Sequence, residues 1–258
     1  MFLVIVSAFA IIFLITLLAI MWHKAHNDQV EYHTIVINHM PKHQVPLRIF
    51  FITDIHTRVV DMKTINQIKQ DIDLVIIGGD LLESGVRLEQ VERNIKTLRY
   101  FNAPIYFIWG NNDYEVNDQK LSRLLEDNDV VILKNRSANI PYGSGIISII
   151  GIDCYNMGEP NMEKALTFAS GDTNILITHD PQAFYECTDQ QINNIDLVLS
   201  GHTHGGQIRI LGWGPYTKGG LKWFKGVPLF ISEGYGYTKL PLRLGTQSEC
   251  HVIKLISN

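Results

Sequence analysis

The sequence predicts an α/β fold with much parallel sheet, following a single apolar helix at the amino terminus. Three observations predict it. Residues 2–22 form an almost unbroken apolar run in which Ser7 and Thr16 are the polar exceptions. Beyond it, short apolar runs alternate with helix-period segments, the pattern of parallel strands joined by crossover helices. Five of those runs end in Asp, Asn or His, often beside glycine, and open α/β sheets bind ligands beyond the carboxyl ends of their strands.

The apolar run has the roughly 20 residues that a helix needs to cross a hydrocarbon core, and no polar face, so residues 1–22 are read as a transmembrane helix. No Lys or Arg precedes it and no small-residue cleavage site follows it, which argues against a removed signal peptide. Lys24, Lys42 and Arg48 come after the span, so the positive-inside rule leans the remainder towards the cytoplasmic face. Three scattered cysteines, Cys154, Cys187 and Cys250, suit a reducing compartment and make neither a disulfide framework nor a thiolate metal site.

Residues 23–46 read as a connector and first strand. The strand covers 30–37, and two prolines mark a turn over 40–46. One domain then occupies 47–258. A strand over 47–52 delivers Asp54 and His56, and Asp61 caps a helix to about residue 70. The strand 74–77 ends in Gly78-Gly79-Asp80, and a helix follows over 88–101. A third strand, 105–109, delivers Gly110-Asn111-Asn112-Asp113. A helix over 118–126, short strands at 130–132 and 145–150, and a helix over 162–169 come next. The strand 174–178 ends at His179, and the run 195–200 delivers Gly201-His202-Thr203-His204-Gly205-Gly206.

Two histidines at i and i+2 leaving a strand can project to one side. Taken alone, that hexapeptide reads equally well as a Gly-rich turn with two solvated histidines. With the other strand ends it completes a set of two carboxylates, one amide oxygen and four imidazoles, without thiolate, which suits Zn, Mn or Fe. Seven ligands exceed one tetrahedral ion and suffice for two divalent metal ions about 3.5–4 Å apart. Two anionic side chains against two dications leave the site electropositive, so it attracts phosphate, and a bridging hydroxide would attack phosphorus in line.

In order and at strand ends, Asp54-Ile55-His56, Gly79-Asp80, Gly110-Asn111, His179 and Gly201-His202-Thr203-His204 resemble the five blocks of calcineurin-like metallophosphoesterases. The stretch Gly-His-Thr-His-Gly-Gly-Gln, ending at Gln207, is similar to a bacterial branch of small, membrane-anchored or exported members, as are Ser232, Gly234, Gly236 and residues 240–243. The resemblance implies a two-sheet metallophosphoesterase sandwich flanked by helices. It assigns Asp54, His56 and His204 to a first metal, Asp80 to a bridge, and Asn111, His179 and His202 to a second metal. It implies a membrane-anchored dinuclear enzyme that hydrolyses a phosphodiester or pyrophosphate bond, with lipid-linked substrates among those left open.

The third block departs from the family. A histidine normally follows the asparagine; here Asn112 does, then Asp113, and these two are the candidates for a catalytic part. Asn112 can donate a hydrogen bond but cannot transfer a proton near neutral pH, and general acid help is typically worth about 10²–10⁴-fold. The alternative reading is therefore an impaired metal or phosphate sensor that keeps the ligands. Glu233 stands where many members have arginine. Glu83, three residues after Asp80, either orients a ligand or is a solvated carboxylate at a helix start.

Nucleic acid is disfavoured as a partner by the net charge of −4 and the anchor. An aromatic, lysine-bearing loop over 212–225 reads as a pocket cap, a lipid or membrane contact, or a loop on the sheet edge. His23, His26, His33, His39 and His43 read as surface residues, and His251 as structural.

Overall fold

The computed structural model describes residues 1–41 and 45–257. Lys42 and His43, and with them part of the expected turn over 40–46, fall outside the described residues. Helix α1 is Phe2–His26. The strands that follow are β1 (Gln29–Ile37), β2 (Leu47–Ile52), β3 (Leu74–Ile77), β4 (Ile105–Phe107), β5 (Val130–Ile132), β6 (Arg136–Tyr142), β7 (Gly145–Gly151), β8 (Thr173–Thr178), β9 (Leu197–Ser200), β10 (Gly220–Phe224), β11 (Val227–Ile231) and β12 (Glu249–Ser257). Between them lie helices α2 (Met62–Ile65), α3 (Leu88–Leu98), α4 (Asp118–Asp127), α5 (Met162–Thr167), α6 (Gln182–Tyr185) and α7 (Asp189–Ile192).

The strands make two six-stranded sheets, ordered β1-β12-β2-β3-β4-β5 and β10-β11-β9-β8-β7-β6. In the first, β2 to β5 run parallel and β12 lies antiparallel to β2. In the second, β11, β9, β8 and β7 run parallel, with β10 and β6 antiparallel at the edges. Side chains alternate between the faces, so one strand serves two cores. From β2, Ile49 and Phe51 point between the sheets to meet Ile149, Ile177, Leu199 and Phe230. Phe50 and Ile52 point outward to Val91, Ile95 and Leu98 of α3 and Leu121 and Leu125 of α4. The second sheet's outer face, with Leu176, Val198 and Leu229, is covered by Ala165, Phe184 and Ile192 from α5, α6 and α7. Strands buried on both faces explain the continuous apolar runs.

Several elements differ from the sequence expectation. Asp61 does cap α2, accepting from Lys63 N at 2.8 Å, but the helix is a single turn. The helix expected to reach residue 101 ends at Leu98 and tightens into a 3₁₀ turn, stopped by Asn102 in the left-handed region. Strands β6, β10 and β11 went unread: β6 is polar and β11 carries Pro228 inside it, both weak strand signals. β10 also takes up part of the expected 212–225 loop.

α1 runs past Trp22 to His26, and its last turn is docked on the domain rather than followed by a free connector. Arg58 Nη1 donates to Ala25 O at 2.7 Å, Arg243 N to Met21 O at 3.0 Å, and Arg58 Nη2 to Asp28 at 2.7 Å. β1 then pairs with β12 along its whole length, which makes it the edge of the first sheet. The rest of α1 is apolar enough to cross a membrane and is not buried by the domain.

Candidate metal centre

Parallel strands place their carboxyl ends at one end of a sheet, and here those ends of the two stacked sheets lie side by side. β2 delivers Asp54 and His56, β3 Asp80, β4 Asn111, β8 His179, and β9 His202 and His204. Their side chains form two clusters, Asp54 with His56 and His204, and Asp80 with His179 and His202. His56 Nε2 and His204 Nε2 are 3.0 Å apart, and His179 Nε2 and His202 Nδ1 are 3.3 Å apart. Asp80 Oδ2 lies 3.3 Å from His179 Nε2 and 3.7 Å from His56 Nε2, so it stands between the clusters. Asn111 is at the mouth, with its amide nitrogen donating to Asn112 Oδ1 at 2.8 Å.

The backbone is bent to bring these groups inward. Asp54, His56, Asp80, His202 and His204 all have positive φ, between 48° and 69°. Each non-glycine residue held there costs about 1–3 kcal/mol and persists only where its surroundings over-determine it. Neighbouring glycines give the room: a Cβ on Gly110 would lie 2.2 Å from Asp80 Oδ1, and one on Gly201 2.5 Å from Asp54 Oδ2. Asp113 holds the third loop against the second. Its carboxylate accepts from the backbone N–H groups of Asp80, Leu81, Leu82 and Gly110 at 2.8–3.2 Å. It is fully buried, so the catalytic part expected for Asp113 is corrected to a positioning one. Burial and the Asp80 carboxylate raise Asp113 to about 7.

Each ring turns one nitrogen into the centre and the other towards a partner, which for His202 Nε2 is Asp180 at 3.6 Å. His179 Nδ1 faces Gly78 O at 2.9 Å, and His56 Nδ1 faces Glu83 at 2.9 Å. Glu83 thus stands against a candidate ligand's ring, where the first of its two readings expects it. Groups behind ligands tune metal affinity by about 10–100-fold, so Glu83→Gln should weaken metal binding by that factor in a competition titration against a chelator. His204 Nδ1 lies 3.1 Å from Nη2 of Arg243, a fully buried arginine that also donates to the carbonyls of Glu233, Gly234 and Gly236. The mark of Arg243 in the sequence is an arginine set in the apolar stretch 240–244. Glu233, where many members have arginine, is buried beside it, accepting from Gln247 N, and does not line the cleft.

The donor set fits two metal ions. Asp54 Oδ1 and Asn111 Oδ1 are buried without a hydrogen-bond partner among the described residues, an arrangement that a cation satisfies. Without one, protons answer the carboxylates. Burial opposes charge on His179, but Asp80 outweighs it and holds the ring well above its usual range. For His56 burial is likewise outweighed, by Glu83 and Asp80. Burial lowers His202 and His204, helped by His179 and by His56 and Arg243 respectively. Metal binding displaces imidazole protons, so loading should release protons and stabilise the fold.

A cleft of about 460 Å³ opens over the clusters. Asp80, Asn111, Asn112, His202 and His204 form its floor, and Ile208, Tyr216 and Lys239 stand in its walls. Asn112 N donates to Asp80 Oδ1 at 2.8 Å, and its side-chain amide joins Asn111 to Glu115. Among the other histidines, His33 is not on the surface as expected: its ring packs on Phe230 and its Nε2 lies 3.2 Å from His251 Nδ1. His251 is buried against Ser232, in keeping with a structural part.

Both the sequence and the fold resemble those of known proteins. A family model described as calcineurin-like phosphoesterase matches residues 47–206. The chain is 41% identical over 237 residues to the uncharacterized protein YpbG of Bacillus subtilis (strain 168), covering 91% of this chain and 90% of that one. It is 29% identical to the uncharacterized metallophosphoesterase YkoQ of the same organism, covering 70% and 71%. A Danio rerio transmembrane protein with metallophosphoesterase domain is 29% identical over 243 residues, covering 83% of this chain and 54% of its own length. Among solved structures, a 5'-nucleotidase precursor from Thermus thermophilus shares the fold, with a TM-score of 0.52 at 11% identity, covering 81% of this chain and 55% of that one.

Proposed function

The chain belongs to the calcineurin-like phosphoesterase family, and on that premise we propose that it is a membrane-anchored, dinuclear-metal hydrolase of phosphodiester or pyrophosphate bonds, lipid-linked ones included. One observation carries the reading: six carboxylate and imidazole donors from four strand ends converge on two clusters, with Asp80 facing both and the Asn111 oxygen unpartnered in the same cleft. Asp54, His56 and His204 would hold one ion and Asn111, His179 and His202 the other, with Asp80 available to both. Mn, Fe or Zn held there would supply Lewis acidity and an activated water. The residues keep imidazole nitrogens, carboxylates and one amide oxygen aimed inward from a floor that a phosphoester reaches through the cleft. α1 tethers the domain, and the basic residues after it lean the domain towards the cytoplasmic face.

Asn112 orients the Asn111 amide but gives no proton to a leaving group. The enzyme therefore favours leaving groups that need none. Asn112→His should raise kcat on an alkyl phosphodiester by about 10²-fold. It should leave turnover of bis(p-nitrophenyl) phosphate, whose phenolate departs unprotonated, nearly unchanged. Metal-reconstituted rates on both esters check this. Bound metal with no turnover in either variant would favour the sensor reading instead.

A further inference from the structure

The wall of the cleft carries large apolar side chains on its outside. Ile210 N donates to Trp213 O at 2.8 Å and Trp213 N returns to Ile210 O at 2.9 Å, closing a two-residue hairpin turn at Leu211–Gly212. Both turn residues have positive φ, 51° and 84°, the pattern of a type I′ turn, which prefers Asn, Asp or Gly. Leu211 accepts that conformation while 103% exposed, beside Trp213 at 85% and Ile210 at 66%. Neither strain nor exposure is offset by packing within the domain. The tip is nonetheless rigid, because Arg209 donates to Gly205 O at 2.8 Å, Tyr216 O at 2.7 Å and Gly212 O at 2.7 Å.

The fold ties this tip to the membrane end of α1. The Tyr237 ring lies 5.5 Å from that of His26, and further along the chain Arg243 N bonds Met21 O. From His26 to Met21 is about 7.5 Å along the helix, so residues 237–243 descend towards its apolar part. Leu240, 59% exposed, lies on this descent. Leu244 then pairs with the base of the hairpin, accepting from Arg209 N at 2.6 Å and donating to Gln207 O at 3.0 Å. The hairpin thus starts at the level of Met21, where the apolar helix leaves the domain. Single exposed apolar residues are ordinary; a preformed set beside a membrane anchor is not.

We propose that the Ile210–Trp213 hairpin and Leu240 form a second membrane contact, which lays the metal cleft along the bilayer surface and presents it to phosphoesters carried by lipids. Ile208, Tyr216 and Lys239 line the cleft on the inner side of the same segments, so a headgroup crosses one wall to reach the metals. The proposal rests on α1 as the anchor and, for the substrate, on the phosphoesterase reading.

The test uses the full chain in phosphatidylethanolamine–phosphatidylglycerol vesicles, with Cys187→Ser, since Cys154 and Cys250 are buried. A nitrobenzoxadiazole label is placed by Leu211→Cys and, as a control on the outer layer, by Tyr100→Cys. An interfacial tip sits about 5–10 Å into the headgroup–acyl boundary, so brominated lipids should quench the label at 211 about three-fold more than at 100. Equal quenching overturns the membrane contact, and failure to float with vesicles in high salt overturns the anchor as well. For the substrate, Leu211→Asp with Trp213→Asp should lower the rate on a fluorescent phosphatidylglycerol in vesicles about ten-fold relative to bis(p-nitrophenyl) phosphate. An unchanged ratio overturns lipid presentation, while loss of hydrolysis of both esters by the unmutated protein overturns the phosphoesterase reading itself and leaves the quenching result standing.

Discussion

Asp80→Asn is expected to lower phosphodiester turnover by on the order of 10³-fold while leaving the fold intact. The side chain keeps its shape, and the backbone of residue 80 stays held by Asp113 and by His56 N, which donates to its carbonyl at 3.1 Å. What is lost is charge at the carboxylate that stands closest to both clusters, 3.3 Å from His179 and 3.7 Å from His56. An amide bridges two cations poorly, so elemental analysis of the variant should find less than the full metal content. Equal rates for wild type and variant would move the reaction away from this centre. A matched loss of rate and metal, with an unchanged circular dichroism spectrum, ties the two together.

The largest effect on stability is expected at Arg243. Its guanidinium lies in the interior and serves the carbonyls of Glu233, Gly234 and Gly236 while touching His204. Burial lowers it to about 10, with Glu233 and Glu249 opposing, so it stays a cation at neutral pH. Arg243→Met leaves buried carbonyls without donors and a buried carboxylate without its counter-ion, a loss of about 3–5 kcal/mol. At roughly 2–4 °C per kcal/mol for a domain of this size, the melting temperature in detergent should fall by about 10 °C. Arg243→Lys restores the charge but not the planar fork, and should recover only part of it. Because Arg243 N is also bonded to Met21 O, the same position couples the anchor to the site.

The glycines and ligands of the five loops were legible because the chemistry of a metal site restricts residue type. Only a few side chains offer neutral nitrogen or anionic oxygen, and they stand where apolar runs stop. Asp113 was legible as a residue of the third block but not in its part, since a carboxylate facing metal and one facing four amides are identical in sequence. Arg243 was unreadable for a similar reason: its partners are carbonyls, which every residue carries. β6, β10 and β11 were missed where polarity or proline hid the strand from local pattern, although neighbouring strands held it in register.

Local periodicity and residue type were enough for the apolar helix, the alternation of strand and helix, and the seven donors in their order. They could not say which donors share a cluster, which nitrogen of each ring faces inward, or where the anchor meets the domain. Those depend on two sheets stacking face to face and on residues as distant as Met21, His204 and Arg243 arriving side by side. No local pattern encodes such distances, since packing sums over contacts between parts of the chain that carry no mark of each other.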